Sequence, residues 1–446
     1  MDSKSFSSGQ APDNPRYNDA LAWLYSQLPL FSRVGGAAYK PGLDNTLALD
    51  RQFGYPHRSF KAIHIAGTNG KGSTSHMLAS ILNSMGYKTA LYTSPHLVDF
   101  RERIRIDGKM IPHDRVVDFV ERWKNSGSDL QPSFFELTMM MAFDWFASEK
   151  VDYAIIEVGM GGRLDSTNVI SPIACVITNI SKDHTQFLGD TLPAIAREKA
   201  GIIKPGVPVV VGEAEGDVRR VFEEKAREVG APIVFAEDSP LLVSVRHDGP
   251  GKMECVTKAA NSFVTPLAGE YQKKNINTVL HAVDMLRETG VPVSDEAVIK
   301  GMSEVDRLTG LSGRWSVVNE SPTVIADTGH NEAGLRYNFG RLREMMNERP
   351  DAKLHIVFGM VADKDIDHIL DLLPREADYY FTQASIPRAL PADQMAAKAA
   401  AHGFNFPHYP TVAEAYAAAL HSASPTDIIY VGGSTFIVAD FLASRQ

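Results

Sequence analysis

The chain has 446 residues, 44 % hydrophobic and 22 % charged, with a formal net charge of −9. That length exceeds one compact core and predicts two domains, and the lysines and arginines are scattered, which excludes a basic nucleic-acid face. Two cysteines, Cys175 and Cys255, lack CxxC spacing, which excludes a disulfide framework or zinc ribbon and points to a reducing compartment.

Residues 1–18 are polar, without the apolar core of a signal peptide, and no run of about 18 apolar residues follows. A cytoplasmic protein without membrane contact is expected. Alternating β-rich runs and amphipathic spacings then predict a parallel sheet. Strands are expected over 61–66, 89–93, 151–158, 173–180 and 207–211. Met77, Leu78, Ile81, Leu82 and Met85 recur at helical spacing before a stop at Gly86, and helices fit 133–148 and 192–203. Residues 241–266 read as an antiparallel hairpin near a sheet edge. The segment 303–313, with Gly310 and Gly313, is the expected linker. A second series follows: strands over 323–326, 353–358, 379–382 and 428–431, and a helix over 335–347. The fold class is α/β, an N-terminal P-loop ATP-binding domain with a mostly parallel sheet (1–305) followed by a smaller Rossmann-like α/β domain (306–446).

Gly67-Thr68-Asn69-Gly70-Lys71-Gly72-Ser73 lies between a predicted strand and helix. Glycines let successive N–H groups turn toward phosphate oxygens, and the helix N-terminus adds positive partial charge. Lys71 would neutralise the β and γ phosphates of ATP. The pattern departs from G-x-x-x-x-G-K-[ST]: Ile65 stands at the first glycine, and Gly72 replaces the metal-binding hydroxyl. The magnesium ligands are therefore expected elsewhere.

Ligands of open α/β sheets bind beyond the carboxyl ends of the strands. Ser94, Glu157 and His184 follow three predicted strand ends, on the rim that carries the phosphate turn. Together they suit a hard cation bridging nucleotide phosphates. Singly, Ser94 reads as a turn residue, Glu157 as half of an ion pair and His184 as a loop histidine. By spacing alone Lys199 reads as a solvated helix residue.

Taken together these motifs resemble the folylpolyglutamate synthase/dihydrofolate synthase family of Mur-type ligases. The resemblance rests on the turn 67–73, Ser94-Pro95-His96-Leu97, Arg101-Glu102-Arg103, Phe134-Phe135-Glu136, Gly161-Gly162-Arg163-Leu164-Asp165, Asp183-His184 and Glu198-Lys199-Ala200-Gly201-Ile202. It implies magnesium ligation by Ser94, Glu157 and His184, and a second magnesium on a carbamylated Lys199. It also implies a pterin pocket lined by Phe134, Phe135, Glu136, Leu164, Asp165 and Ser166, where Ser166 replaces the alanine of many relatives. Asn275, Arg314, Asp327 and His330 match nucleotide-contacting positions, with Gly329 and Glu332 as departures in the last motif. The first domain then binds ATP and folate, and the second glutamate and nucleotide.

The implied activity is an ATP-dependent ligase that adds L-glutamate to dihydropteroate, to the γ-glutamyl tail of tetrahydrofolate, or to both, through an acyl phosphate. Lys71, Lys199 and His184 are the expected catalytic residues, and a monomer is expected. The alternatives are a Mur-type ligase for another carboxylate and a nucleotide-dependent switch on a ligase scaffold. Only 66 residues precede Gly67, fewer than the extra sugar-nucleotide domain of cell-wall Mur ligases would need.

Overall fold

The computed structural model describes residues 14–27 and 42–445. Of the polar start, 1–13 lies outside the described residues, and Asn14 leads into the helix Pro15–Gln27. Among the described residues no helix is long and apolar enough to cross a membrane.

Eight strands form the first sheet: β1 Lys61–Ala66, β2 Thr89–Tyr92, β3 Ile104–Ile106, β4 Lys109–Met110, β5 Tyr153–Glu157, β6 Ala174–Ile177, β7 Val209–Val211 and β8 Ile233–Phe235. Their order is β4-β3-β2-β5-β1-β6-β7-β8. Six are parallel and the β3–β4 edge is antiparallel. β1 and β5 are buried along almost all of their length, as expected of strands covered on both faces by helices. Because β1 lies between β5 and β6, the exits of all three strands open at one sheet edge.

β9 Leu242–His247, β10 Met253–Thr257 and β11 Ser262–Thr265 form a separate antiparallel sheet. This corrects the hairpin expected at an edge. The third strand packs against the helix Asp295–Ser303, and alternate residues Met253, Cys255 and Phe263 enter the core.

β12 Ser316–Glu320, β13 Thr323–Ala326, β14 Leu354–Phe358, β15 Asp378–Phe381 and β16 Ile428–Gly432 make the last sheet, ordered β12-β13-β16-β14-β15. All pairs are parallel except β12–β13. β12 escaped the sequence reading because its residues are only half-buried and carry no clean alternation.

The expected linker 303–313 is not a loose loop. It contains the helix Val305–Thr309, which packs on the helix Lys71–Ser84. The buried Thr309 hydroxyl lies 2.7 Å from His76 Nδ1. One buried apolar cluster runs from Ile65 and Leu78 through Val279 and Trp315 to Ile325 and Tyr430, so the two sheets share a core.

The helix Lys71–Ser84 is buried on most of its surface, and its nearest neighbour is the helix Asp295–Ser303. At their crossing a Cβ on Gly301 would lie 2.7 Å from the Ile81 backbone. Gly301→Ala must separate the helices and should cost about 1–3 kcal/mol. Urea denaturation with an unchanged midpoint would refute this close-packing account.

Candidate active site

The phosphate turn is held from two sides. Toward β6, Thr68 N donates to Asn179 O at 2.9 Å and Asn69 N to Asn179 Oδ1 at 3.0 Å. Asn69 O accepts from Thr178 Oγ1 at 2.5 Å and Asn179 Nδ2 at 3.0 Å. These contacts end β6 at Ile177, short of the expected residue 180. On the other side, Gln272 Nε2 donates to Ser73 Oγ at 3.1 Å, and Asn275 Nδ2 to Gln272 Oε1 at 2.9 Å. Gly67 and Gly70 have φ of +144° and +85°, and a Cβ would collide with Thr178 Oγ1 at the first and Asn275 Oδ1 at the second. Thus Asn275 supports the turn from behind. Gly72 remains in the first helical turn.

Lys71 Nζ folds back over the turn and donates to Gly67 O and Thr68 O, both at 3.1 Å. Lys199 Nζ reaches the same Gly67 carbonyl at 2.8 Å. Lys199 is only 4 % exposed, so the solvated reading from spacing is wrong. The helix Leu192–Ala200 is drawn against the glycine loop: Arg163 N donates to Glu198 O at 2.7 Å, and a Cβ on Gly162 would lie 3.1 Å from Lys199 Cα. Burial, reinforced by the Lys71 charge, lowers the Lys199 ammonium to about 7.

Glu157, 3 % exposed, accepts Ser94 N at 3.2 Å through Oε2. Burial raises its pKa, against the opposing pull of Lys71, the Ser94 N–H and Arg314. His184, in the left-handed region at φ +50°, has its pKa lowered to about 4 by burial and nearby cations despite Asp183. Its imidazole is neutral at neutral pH. Asp183 instead receives Lys364 Nζ at 2.5 Å and lies 3.3 Å from His330 Nε2, both from the C-terminal sheet's loops. Burial opposes its charge, but His330, His184 and Lys364 outweigh that and hold its carboxyl far below the usual range.

Lys71, Ser94, His184, Lys199 and His330 line one cavity of about 480 Å³. Gly67 and Thr68 line it too, and Glu157 lies beneath Ser94. Among the described residues no three His, Cys, Asp or Glu side chains form a ready metal cluster. The set of one hydroxyl, one buried carboxylate and one neutral imidazole still fits a hard cation that takes its other oxygens from phosphates and water. The Lys199 amine fits only after conversion to an anionic oxygen donor.

Arg314 places Nη1 on Thr328 Oγ1. Its Nη2 lies 3.5 Å from where a Cβ on Gly72 would stand, so the guanidinium faces the start of the phosphate helix. Asp327 is differently employed. One oxygen accepts Tyr271 OH at 2.6 Å and Trp315 N at 2.7 Å, and the other accepts Gly329 N and Asn338 Nδ2, both at 2.7 Å. Four donors and near-complete burial make it the organiser of the loop after β13. Asn331 exchanges amide hydrogen bonds with Asn69 at 2.9 and 3.3 Å, tying that loop to the phosphate turn.

Phe134, Phe135, Glu136, Leu164, Asp165 and Ser166 line the same cavity. Phe135 covers Gly159, where a Cβ would lie 2.5 Å from its ring. Glu136 closes a capping box with Ser133 and accepts Thr46 Oγ1 at 2.8 Å. Asp165 accepts Met160 N at 2.9 Å and Thr167 Oγ1 at 2.5 Å, and that hydroxyl lies 2.9 Å from the buried His64 Nε2. These two carboxylates and the buried Phe134 shape the wall, while Phe135, Leu164 and Ser166 present surface. Sequence reasoning gave no role to Arg103, which is buried, donates to His96 Nδ1 at 2.7 Å and lies 5.4 Å from the Phe134 ring centre. It also missed the Asp183–His330–Lys364 cluster, whose members are 34 residues or more apart along the chain from their nearest partner and share no spacing signal.

Residues 65–283 match the Mur ligase middle domain, and 313–435 the Mur ligase glutamate ligase domain. The dihydrofolate synthase/folylpolyglutamate synthase of Escherichia coli (strain K12) is 34 % identical, over 95 % of this chain and 96 % of its own length. That of Bacillus subtilis (strain 168) is 33 % identical, over 84 % and 86 %. The chain belongs to the dihydrofolate synthase/folylpolyglutamate synthase family of Mur ligases. Membership makes it an ATP-dependent carboxylate–amine ligase, as its sequence motifs implied. A structure of E. coli FolC in complex with DHPP and ADP superposes with a TM-score of 0.82 at 30 % identity, covering 96 % of this chain and 98 % of that one. A bifunctional folylpolyglutamate synthase/dihydrofolate synthase with Mn, AMPPNP and L-glutamate bound gives 0.79 at 29 %, covering 98 % and 99 %.

Lys199 has a pH signature. Its folded value of about 7 lies below the ordinary 10.5, so between those values the unfolded chain binds more protons and stability rises with pH. Lys199→Met should remove that increment. Urea unfolding of both proteins at pH 7 and 10 measures it, and equal pH dependence would contradict a buried amine.

Proposed function

We propose that this chain joins L-glutamate both to dihydropteroate and to the γ-glutamyl tail of tetrahydrofolate. The observation that carries the reading is one cavity shared by the phosphate turn, Lys71, Ser94, His184 and Lys199, by the phenyl wall of Phe134 and Phe135, and by His330 of the C-terminal sheet. The ligands named for the solved relatives, DHPP and ADP in one and Mn, AMPPNP and L-glutamate in another, support it.

A carboxylate is a poor acyl donor because oxide would have to leave. Phosphoryl transfer from ATP converts that oxygen into phosphate, and the glutamate amine then displaces it to form the amide. Lys71 and Arg314 hold the triphosphate and offset charge as the substrate carboxylate attacks the γ-phosphorus, a step governed by alignment and electrostatics. Phe134, Phe135, Leu164 and Ser166 hold the pterin. Magnesium, when bound, neutralises phosphate charge, and Ser94, Glu157 and His184 would hold it. A second ion would be held by Lys199 once carbamylated. Carbamate formation joins the unprotonated amine to carbon dioxide with release of one proton, and a Lys199 pKa of about 7 supplies that amine near neutral pH. The expected division at 305/306 falls inside the helix Val305–Thr309, which packs on the phosphate helix, so the domains divide after it, the N-terminal one holding ATP and folate and the C-terminal one glutamate and nucleotide. In this reading the chain works as a monomer in the cytoplasm.

Lys71→Ala or Glu157→Ala should lower ADP formation dependent on folate plus glutamate by about 100-fold or more. Turnover near the parent rate in either variant would refute the assigned roles. Parallel assays with dihydropteroate and with tetrahydrofolate test the double activity, and turnover of one alone would reduce it to a single reaction.

A further inference from the structure

Trp315 has an unusual backbone for so large a residue. It lies in the left-handed region at φ +52°, where bulky side chains are rare and which is occupied only when the surroundings over-determine it. Those surroundings are explicit. The side chain is fully buried, its backbone N donates to Asp327 Oδ2 at 2.7 Å, and its indole Nε1 donates to the Pro250 carbonyl at 3.0 Å. Its ring lies 6.4 Å from that of Tyr430, centre to centre.

Pro250 sits in the turn between β9 and β10, in the three-stranded sheet that contributes nothing to the cavity wall. The same turn meets β12 again, because a Cβ on Gly251 would lie 2.9 Å from Val317 Cγ2. Immediately before Trp315, the backbone N–H groups of Gly313 and Arg314 both donate to Ser316 Oγ, at 2.9 and 3.3 Å. The left-handed turn therefore sends two consecutive side chains to different places. Arg314 goes to Thr328 and the start of the phosphate helix, while Trp315 goes into the core.

We propose that Trp315 is a positioning residue for Arg314, and that the turn at Pro250 and Gly251 is the strut that fixes the arginine over the phosphate loop. The small antiparallel sheet thereby acts in nucleotide binding without touching the nucleotide. The proposal rests on the reading that Arg314 faces the nucleotide phosphates.

Steady-state kinetics on full-length variants, with ATP, folate substrate and glutamate varied in turn, test it. Arg314→Ala is the reference and should raise the KM for ATP about tenfold or more. Trp315→Phe keeps an aromatic ring and removes the donation to Pro250. Gly251→Ala pushes the same turn against Val317. Each should raise the KM for ATP about fivefold while the other two KM values stay within about twofold. Val317→Ala added to Gly251→Ala should bring the value back toward the parent, because it removes the methyl at 2.9 Å and leaves only Val317 Cβ, at 3.2 Å, against the new Cβ. If Arg314→Ala leaves the KM for ATP unchanged, the reading of Arg314 fails and the strut with it. If Arg314→Ala raises it while Gly251→Ala and Trp315→Phe do not, the strut alone is overturned. A fall in kcat with equal changes in all three KM values and a lower Tm marks a merely structural residue and also overturns it. Should Trp315→Phe fail to fold, Gly251→Ala and its rescue decide.

Discussion

Two lysines share one carbonyl at the centre of this molecule. Lys71 and Lys199 both donate to Gly67 O, and one of them is almost wholly removed from water. Burial first, and then the neighbouring Lys71 charge that water cannot screen, lower the proton affinity of Lys199. Anions offset the charge that remains. Glu157 and Asp183 stand near: Glu157 feels the Lys71 charge and accepts only Ser94 N, through one oxygen, while Asp183 is committed to Lys364 and His330. The unmet positive charge faces the cavity, where a polyphosphate would meet it. The placement of Gly67, the length of β6 and the packing of the helix Leu192–Ala200 all serve to keep those amines in position.

The second sheet is held to this centre by side chains that act in pairs. The Asn69–Asn331 amide exchange joins the phosphate turn to the loop after β13. Asp183 gathers two cationic or hydrogen-bonding partners from the far side of the cavity. Asp327, with its four donors, makes the loop that carries His330 rigid enough for such pairing. Polar contacts that are satisfied together across a part-buried interface favour one arrangement over many. An enzyme that must keep water from an acyl phosphate needs that definition between its halves.

Several carboxylates near the cavity serve its architecture. Glu136 caps a helix, Asp165 ties a loop to β1 through Thr167 and His64, and Asp327 organises the β13 exit. Their burial, and that of Phe134, leaves Phe135, Leu164 and Ser166 as the exposed part of this cavity wall. Family motifs retain such residues beside true ligands, and a motif alone does not separate the two kinds. Hydrogen-bond partners do, because a carboxylate whose oxygens are occupied has little left for a substrate.

The sequence by itself determined the strand–turn–helix of the phosphate loop, the parallel strands of both sheets except the short, half-exposed β8, and the rim on which Ser94, Glu157 and His184 stand. Those features are local: glycine φ values, β-rich runs and the rule that strand ends share an edge. Only the tertiary structure decided that Lys199 is buried, that residues 241–266 form a sheet of their own, that 303–313 is a packed helix rather than a loose link, and that Asp183 meets Lys364 across 181 residues. Burial and long-range pairing arise from which surfaces meet after the chain folds, and no spacing within a single segment records that.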